Sequence, residues 1–245
     1  MGDEATGDER IGIICDPNHQ VFGVVAETLR KRGYDVEFLE PGVEQPRDRL
    51  DRLTMLVNKK ARWESLDALE YAERNGIKTW NGYVASLLLF NRVSQLGCLA
   101  AAGFRIPSIL TEPPDGDYVA KGFIDIGDDP VANGTGDFYQ RLLDADGPDH
   151  KYYAVHDGNE THTAVVRFDS KLHGERERLG PGTIDTDVAV RIERLLDFLG
   201  ARALGVDVIR VDDRWVAVDS NPATSFKHTG LETPLADSIE DALRG

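Results

Sequence analysis

Between Leu204 and Phe226 the chain reads L-G-V-D-V-I-R-V-D-D-R-W-V-A-V-D-S-N-P-A-T-S-F, the pattern of two short strands around a polar turn. Val206, Val208 and Val211 mark one strand; Trp215, Val216 and Val218 mark a second; Asp212, Asp213 and Arg214 form a polar turn. A three-residue loop pairs Val211 with Trp215 and so sets Asp207 opposite Asp219. Directly opposed residues share a face with Cβ atoms about 5 Å apart. Two carboxylates so placed repel one another, and a divalent cation turns the repulsion into attraction. Asn221 lies two residues past Asp219, on the same face of an extended strand. Asp207, Asp219 and Asn221 are thus a candidate all-oxygen metal set of the kind Mg²⁺ accepts when phosphates complete its shell. Against this, Asp and Asn are common where strands end, and Asn-Pro starts turns.

A chain of 245 residues with 41% hydrophobic content can bury a sizeable core as one large domain or two small ones. Its net charge of −15 opposes non-specific binding to nucleic acid or anionic membrane. Only eight residues are Lys. An Asp/Glu-rich, Lys-poor surface resembles those of proteins from salt-loving organisms, where excess charge keeps the chain soluble. Cys15 and Cys98 lie far apart in apolar segments, without metal spacing or a disulfide framework, which suits a reducing cytoplasm. The acidic start is no signal peptide, and the longest apolar run, Tyr83 to Phe90, is too short to cross a bilayer.

Taken in order, residues 1–9 read as a frayed acidic tail. Ile11–Cys15, Val36–Leu39, Leu53–Asn58 and Ile77–Trp80 read as strands. They alternate with helices over Val21–Arg32, stopped by Gly33, and from Ser65 as cap to Arg74. That alternation predicts a small parallel α/β unit over 10–82. The first strand leads into D-P-N-H-Q, not a glycine fingerprint, and no P-loop sequence occurs. The unit therefore reads as a structural or substrate-docking lobe.

Tyr83 to Ala102 is helical by pattern with a break near Asn91, and its apolar face is a candidate homo-oligomer interface. Tyr118–Ile124 reads as a strand containing Lys121, which requires an anionic partner or a route to water. Gly122, Gly127, Gly134 and Gly136 follow in a stretch that reads either as a phosphate-cradling loop or as a surface hairpin. Lys151–His156 and Thr161–Phe168 flank Asp157-Gly158-Asn159, a hairpin signal. Lys151 and Arg167 project from it either toward a common anion or into solvent. Lys171, His173, Arg176 and Arg178 form a basic run in an acidic chain. His156 and His162 lack any ligand or triad spacing and read as core or surface histidines. An amphipathic helix over Asp185–Leu199, stopped by Gly200, and a last helix over about Pro234–Leu243 complete the chain.

The order of these pieces resembles the ATP-grasp superfamily, particularly the RimK-like carboxylate–amine ligases. I-K-T-W-N-G and N-R-V-S-Q-L-G-C-L-A-A-A-G-F-R-I-P-S look like that family's linker and the helix before its first ATP-binding lobe. Y-V-A-K-G looks like the strand with a phosphate-binding lysine, here Lys121; F-Y-Q-R-L-L looks like the hinge against which adenine packs, with Gln140, Arg141 and Leu142. D-H-K-Y-Y-A-V-H-D-G and A-V-V-R-F are similar to the strands bearing the basic residues near the transferred phosphate, Lys151 and Arg167. G-V-D-V-I and V-A-V-D-S-N-P-A are similar to the metal-binding strands. The resemblance covers about Gly76 to the C-terminus, and its specificity lies in the ordered set. Three departures stand out. Asp219 replaces the usual Glu, Arg92 stands in the place of a phosphate-contacting lysine, and the Lys121–Gln140 segment is short and not densely glycine-rich.

The resemblance implies an α/β (α+β lobes) protein: a small parallel α/β N-terminal domain, then an ATP-grasp domain over 83–245 with two mainly antiparallel lobes, about 105–139 and 140–245. It implies ATP and Mg²⁺ as cofactors, the metal on Asp207, Asp219 and Asn221, and the phosphates on Arg92 and Lys121. Lys151 and Arg167 then steady the γ-phosphoryl group while a carboxylate and an amine are joined through an acyl phosphate. Two rivals are a kinase on the same scaffold, served by the basic run 171–178, and a nucleotide-binding protein without catalysis. The partners implied are small-molecule or peptide carboxylates and amines.

Overall fold

The computed structural model describes residues 9–124, 130–169 and 177–245. Gly127 and three members of the basic run, Lys171, His173 and Arg176, lie outside the described residues.

The chain opens with alternating strands and helices: β1 (Arg10–Ile14), α1 (Gln20–Lys31), β2 (Asp35–Leu39), α2 (Arg47–Leu50), β3 (Met55–Asn58), α3 (Trp63–Arg74) and β4 (Lys78–Trp80). The four strands pair in parallel in the order β2-β1-β3-β4. Burial of β1 and β3 on both faces explains their continuous apolar runs. His19 caps α1, its Nδ1 accepting from the Val21 and Phe22 amides. Ser65 does not cap α3 as expected. The helix starts two residues earlier, and Ser65 is buried within it.

The expected break at Asn91 separates α4 (Tyr83–Phe90) from α5 (Arg92–Ala101). Asn91 is extended, and its Oδ1 accepts from Val93 and Ser94, so it caps the second helix. A three-stranded antiparallel sheet follows, with β5 (Tyr118–Lys121) between β6 (Val131–Ala132) and β7 (Phe138–Arg141). The remaining strands are β8 (Asp149–His156), β9 (Thr161–Phe168), β10 (Arg178–Pro181), β11 (Ala203–Val211) and β12 (Arg214–Asn221). They form an antiparallel sheet in the order β10-β9-β8-β11-β12, with α6 (Thr186–Leu199) before β11 and α7 (Glu232–Arg244) closing the chain.

One face of the five-stranded sheet packs Tyr152, Ala154, Val206 and Val208 against Leu96 and Leu99 of α5 and Ile192 and Leu195 of α6. The other face sends Tyr153, Val155, Val166 and Ala203 into a core shared with β1, α1 and α7. The parallel sheet is therefore anchored to the C-terminal half by common burial. Polar ties reinforce it. Arg32 pairs with Asp237 and Glu240 at 2.6 Å each, and Trp80 Nε1 donates to Ser238 Oγ at 3.0 Å. Buried Asn81, in the left-handed region with φ 55°, donates to the Ala203 and Pro222 carbonyls and accepts from the Arg202 and Ala203 amides.

Candidate active site

The β11–β12 hairpin reaches the expected pairing by a different route. Its turn has two residues, not three. Asp212 and Asp213 both take positive φ, 48° and 58°, and Val211 pairs with Arg214 instead of Trp215. An unbroken ladder from that turn would set Asp207 opposite Val218. A bulge intervenes: Val208 pairs with Ala217 and Asp207 with Asp219, leaving Val218 as the extra residue. Gly205 then faces Asn221. On the other side of β11, Asp207 pairs with Lys151 of β8. Three adjacent strands thus present Lys151, Asp207 and Asp219 in one row. Lys151 Nζ donates to Asp207 Oδ2 at 3.0 Å. Gly205 makes room for this, since a Cβ there would meet Thr224 Oγ1 at 2.9 Å and Lys151 Cε at 3.2 Å. Asn221 Oδ1 accepts from the Ala223 amide at 2.7 Å, turning the chain at Asn-Pro.

The three-stranded sheet supplies the opposing wall. Lys121 pairs with Phe138 and Val119 with Gln140, so Lys121 and Gln140 project from the same face. Lys121 is nearly buried, and its Nζ reaches the Val218 carbonyl at 2.9 Å. The bulge therefore keeps the carboxylates in register, and its extra residue meets the lysine of the other sheet. Gly136 fits against β5 so closely that a Cβ would lie 2.7 Å from Lys121 N and 2.8 Å from Lys121 O. Arg92, buried at the start of α5, points Nη1 at the Gly122 and Ile124 carbonyls, 3.3 and 3.4 Å away. It braces the segment that follows Lys121. Gln140 is buried, and among the described residues its Nε2 has no hydrogen-bond partner. An orphaned buried amide donor suits a site completed by a ligand acceptor.

Two expected residues, Arg167 and Arg141, face elsewhere. Arg167 stands on the opposite face of the large sheet. The β8–β9 loop spans four residues, 157–160, so Lys151 pairs with Val166 and Arg167 with His150. One residue of register reverses a side chain's face, and Arg167 Nε instead donates to the Pro181 carbonyl at 3.2 Å. Arg141 pairs with Tyr118 on the face away from Gln140, its Nη1 on the Asp115 carbonyl. Leu142, directly after β7, donates its amide to the Asp117 carbonyl. His162 bonds Asp157 at 2.6 Å at the hairpin tip, a structural role.

The parallel sheet adds a group that the sequence reading passed over. Lys59 follows β3, is 5% exposed, and donates Nζ to the Ala223 carbonyl two residues past Asn221. Burial, with the positive charges of Lys60, Lys151 and Lys227 nearby, holds its ammonium down to about 7 despite the opposing effect of Cys15. Burial and the same lysines 59, 60 and 227 hold the His19 imidazole down to about 4. The detectable signal was Asn58-Lys59-Lys60 itself, a lysine pair ending a buried strand in a lysine-poor chain.

Among the described residues no three His, Cys, Asp or Glu side chains gather as a metal cage. The set at hand is two carboxylates and an amide. That matches Mg²⁺, which binds through one or two carboxylates and leaves the remaining positions to water and phosphate.

A parallel α/β unit followed by a three-stranded and a larger antiparallel sheet is the layout of the ATP-grasp fold, and this chain has that fold. No protein-family profile and no curated protein sequence matches the chain. Solved structures do. The RimK-domain ATP-grasp protein from Sphaerobacter thermophilus DSM 20745 superposes with TM-score 0.70 at 16% identity, covering 96% of this chain and 100% of that one. The ATP-grasp ligase PsnB, complexed with a minimal precursor, gives 0.67 at 18% identity over 96% and 99% of the two chains. N5-carboxyaminoimidazole synthetase from Staphylococcus aureus gives 0.73 at 12% identity over 98% and 78%.

Proposed function

We propose that this protein is an ATP-dependent, Mg²⁺-dependent ligase that joins a carboxylate to an amine. The observation that carries the reading is Lys121 reaching from the small sheet to the Val218 carbonyl, beside the row Lys151–Asp207–Asp219. In that position Lys121 and Arg92 offer positive charge to a triphosphate. Asp207, Asp219 and Asn221 would hold Mg²⁺, which neutralises phosphate charge when bound. Lys151 holds its ammonium where charge gathers on the transferred phosphoryl oxygens. Phosphoryl transfer to the carboxylate makes an acyl phosphate, and amine attack on it expels phosphate. No protein nucleophile is needed; orientation and fixed charge supply the rate. Arg167 has no part in this mechanism.

The similar structures include PsnB with Mg and ADP and with a precursor peptide and AMPPNP, which supports nucleotide and a peptide or small-molecule acid here. No described helix is long and apolar enough to cross a membrane. We further read the net charge of −15 as adaptation of a cytoplasmic protein to high salt. The exposed Val84 and Leu87 of α4 remain a surface for self-association. The kinase reading gains nothing from the structure, since most of its basic run lies outside the described residues.

The test is ADP release over pooled carboxylates and amines at high salt. Turnover requiring both pools, and lost on the order of 10²-fold in Asp219→Ala, is the expected result. Turnover unchanged in that variant removes the site assignment. Nucleotide binding without ADP release in any mixture leaves only a binding protein.

A further inference from the structure

We propose that the acid substrate carries a second anionic group, and that Lys59, Lys60 and Lys227, beside His19, hold it. This rests on the ligase reading for the fate of the first carboxylate, but the site itself stands on independent observations.

Three segments distant in sequence converge here. His19 caps α1 just after β1; Lys59 and Lys60 follow β3; Lys227 lies in the turn segment between β12 and α7. Strand pairing and shared contacts bring them together: the Lys59 amide donates to the Ile14 carbonyl at the end of β1, Lys59 Nζ and the His19 ring both lie against the Phe22 ring, and Lys59 Nζ reaches the Ala223 carbonyl, four residues before Lys227. Lys59, Lys60 and Lys227, three of the chain's eight lysines, therefore converge at one end of the parallel sheet, in a protein with 43 Asp and Glu against 28 Lys and Arg. Among the described residues Lys59, Lys60 and Lys227 form no ion pair. Lys151 alone is matched, by Asp207. The carboxylate that acts on His19 is Asp16, whose Oδ1 already accepts from the Asn18 amide.

Lys59 is the sharpest case. It is 5% exposed, with one backbone carbonyl as its hydrogen-bond acceptor, the Phe22 ring 5.8 Å from its Nζ, and Cys15 as the one neighbour that favours its charge against Lys60, Lys151 and Lys227. Burying an ammonium without a counter-charge is expensive. A bound anion supplies the missing charge. The His19 tautomer adds a donor, because Nδ1 accepts from two helix amides and the ring proton therefore sits on Nε2. The cluster also lies at the carboxyl ends of parallel strands, where open α/β sheets gather ligands. The Lys59 acceptor, Ala223, follows Asn221 by two residues and donates to its side chain, so the second anion sits next to the metal set. A dicarboxylate spans the two: one carboxylate toward Lys151 and the phosphoryl group, the other on the lysine cluster. Monocarboxylates fill only the first position.

The experiment is calorimetric titration of the full chain, at fixed ionic strength, with butyrate, glutarate, citrate and the dipeptide Glu-Glu. At least one polyanion binds tenfold or more tighter than butyrate. Lys60→Gln and Lys227→Gln, neither deeply buried, each weaken that binding at least threefold, and Lys59→Met at least tenfold, with Mg-ATP affinity unchanged in the two Gln variants. Equal affinity for all four probes, or polyanion binding indifferent to Lys60→Gln and Lys227→Gln, overturns the proposal even if Lys59→Met fails to fold. Lysine-dependent polyanion binding in a protein that binds no Mg-ATP keeps this site and sinks the ligase reading.

Discussion

His19 shows how much one side chain can be asked to do. It caps α1 only while Nδ1 carries a lone pair, so protonation removes the cap and adds a charge beside the lysines. Its folded-state value lies near 4, below the ordinary 6.5. Between those values the unfolded chain binds the proton and the folded one does not. Stability is therefore lost as pH falls from about 6.5 toward 4 and is fully present above. At about 1.4 kcal/mol per unit the ceiling is ~3 kcal/mol, and partial solvation of the ring brings it nearer ~1–2. His19→Asn keeps a capping oxygen without the titration; urea unfolding across this range should show that slope flattened. Gly136 is the second sensitive residue. A methyl there meets the Lys121 backbone at 2.7 and 2.8 Å. Gly136→Ala should cost about 1–3 kcal/mol and weaken Mg-ATP binding by displacing β5, read by thermal unfolding and calorimetry.

Among the elements, the β11–β12 hairpin and the α4–α5 junction position the site. The hairpin combines a tight two-residue turn with a bulge, and together they restore the parity that a three-residue loop alone would have given. The sequence displayed both aspartates and the turn, yet the bulge had no glycine to announce it. Arg167 turns on register too: the four-residue loop 157–160 pairs it with His150, on the back of the sheet from Lys151. At the helix junction Asn91 ends α4, caps α5 and pairs with Ile124 beyond β5. Asn91→Ala should lower stability by about 1 kcal/mol. It should also raise the Mg-ATP dissociation constant, because Arg92 loses its fixed origin. Denaturant titration and calorimetry of the same variant separate the two effects.

At the level of the whole molecule, the parallel sheet is held to the C-terminal half by a shared core and by Asn81. That residue satisfies two carbonyls and two amides of the large lobe from a left-handed backbone position. Asn81→Ala leaves those groups buried without partners and should cost about 2–4 kcal/mol. The midpoint of urea unfolding reports it, and a two-step transition would show that the halves had uncoupled.

The fold class was legible because its determinants are local: apolar runs alternating with helical periods, Asn-Gly and Gly stops, and an ordered string of lysine and aspartate strands. Lys121 lies in the strand read for it, and Asp207 faces Asp219 as the pattern predicted, though through a tight turn and a bulge rather than unbroken alternation. Which charges meet across elements was decided by tertiary structure. The counts of residues in two loops and one bulge set strand parity, and the docking of the parallel sheet brought Lys59 and Lys60 to Lys227 and Lys151. Local sequence encodes the period of each strand. The phase between strands, and the surface that closes over them, comes only from packing the whole chain.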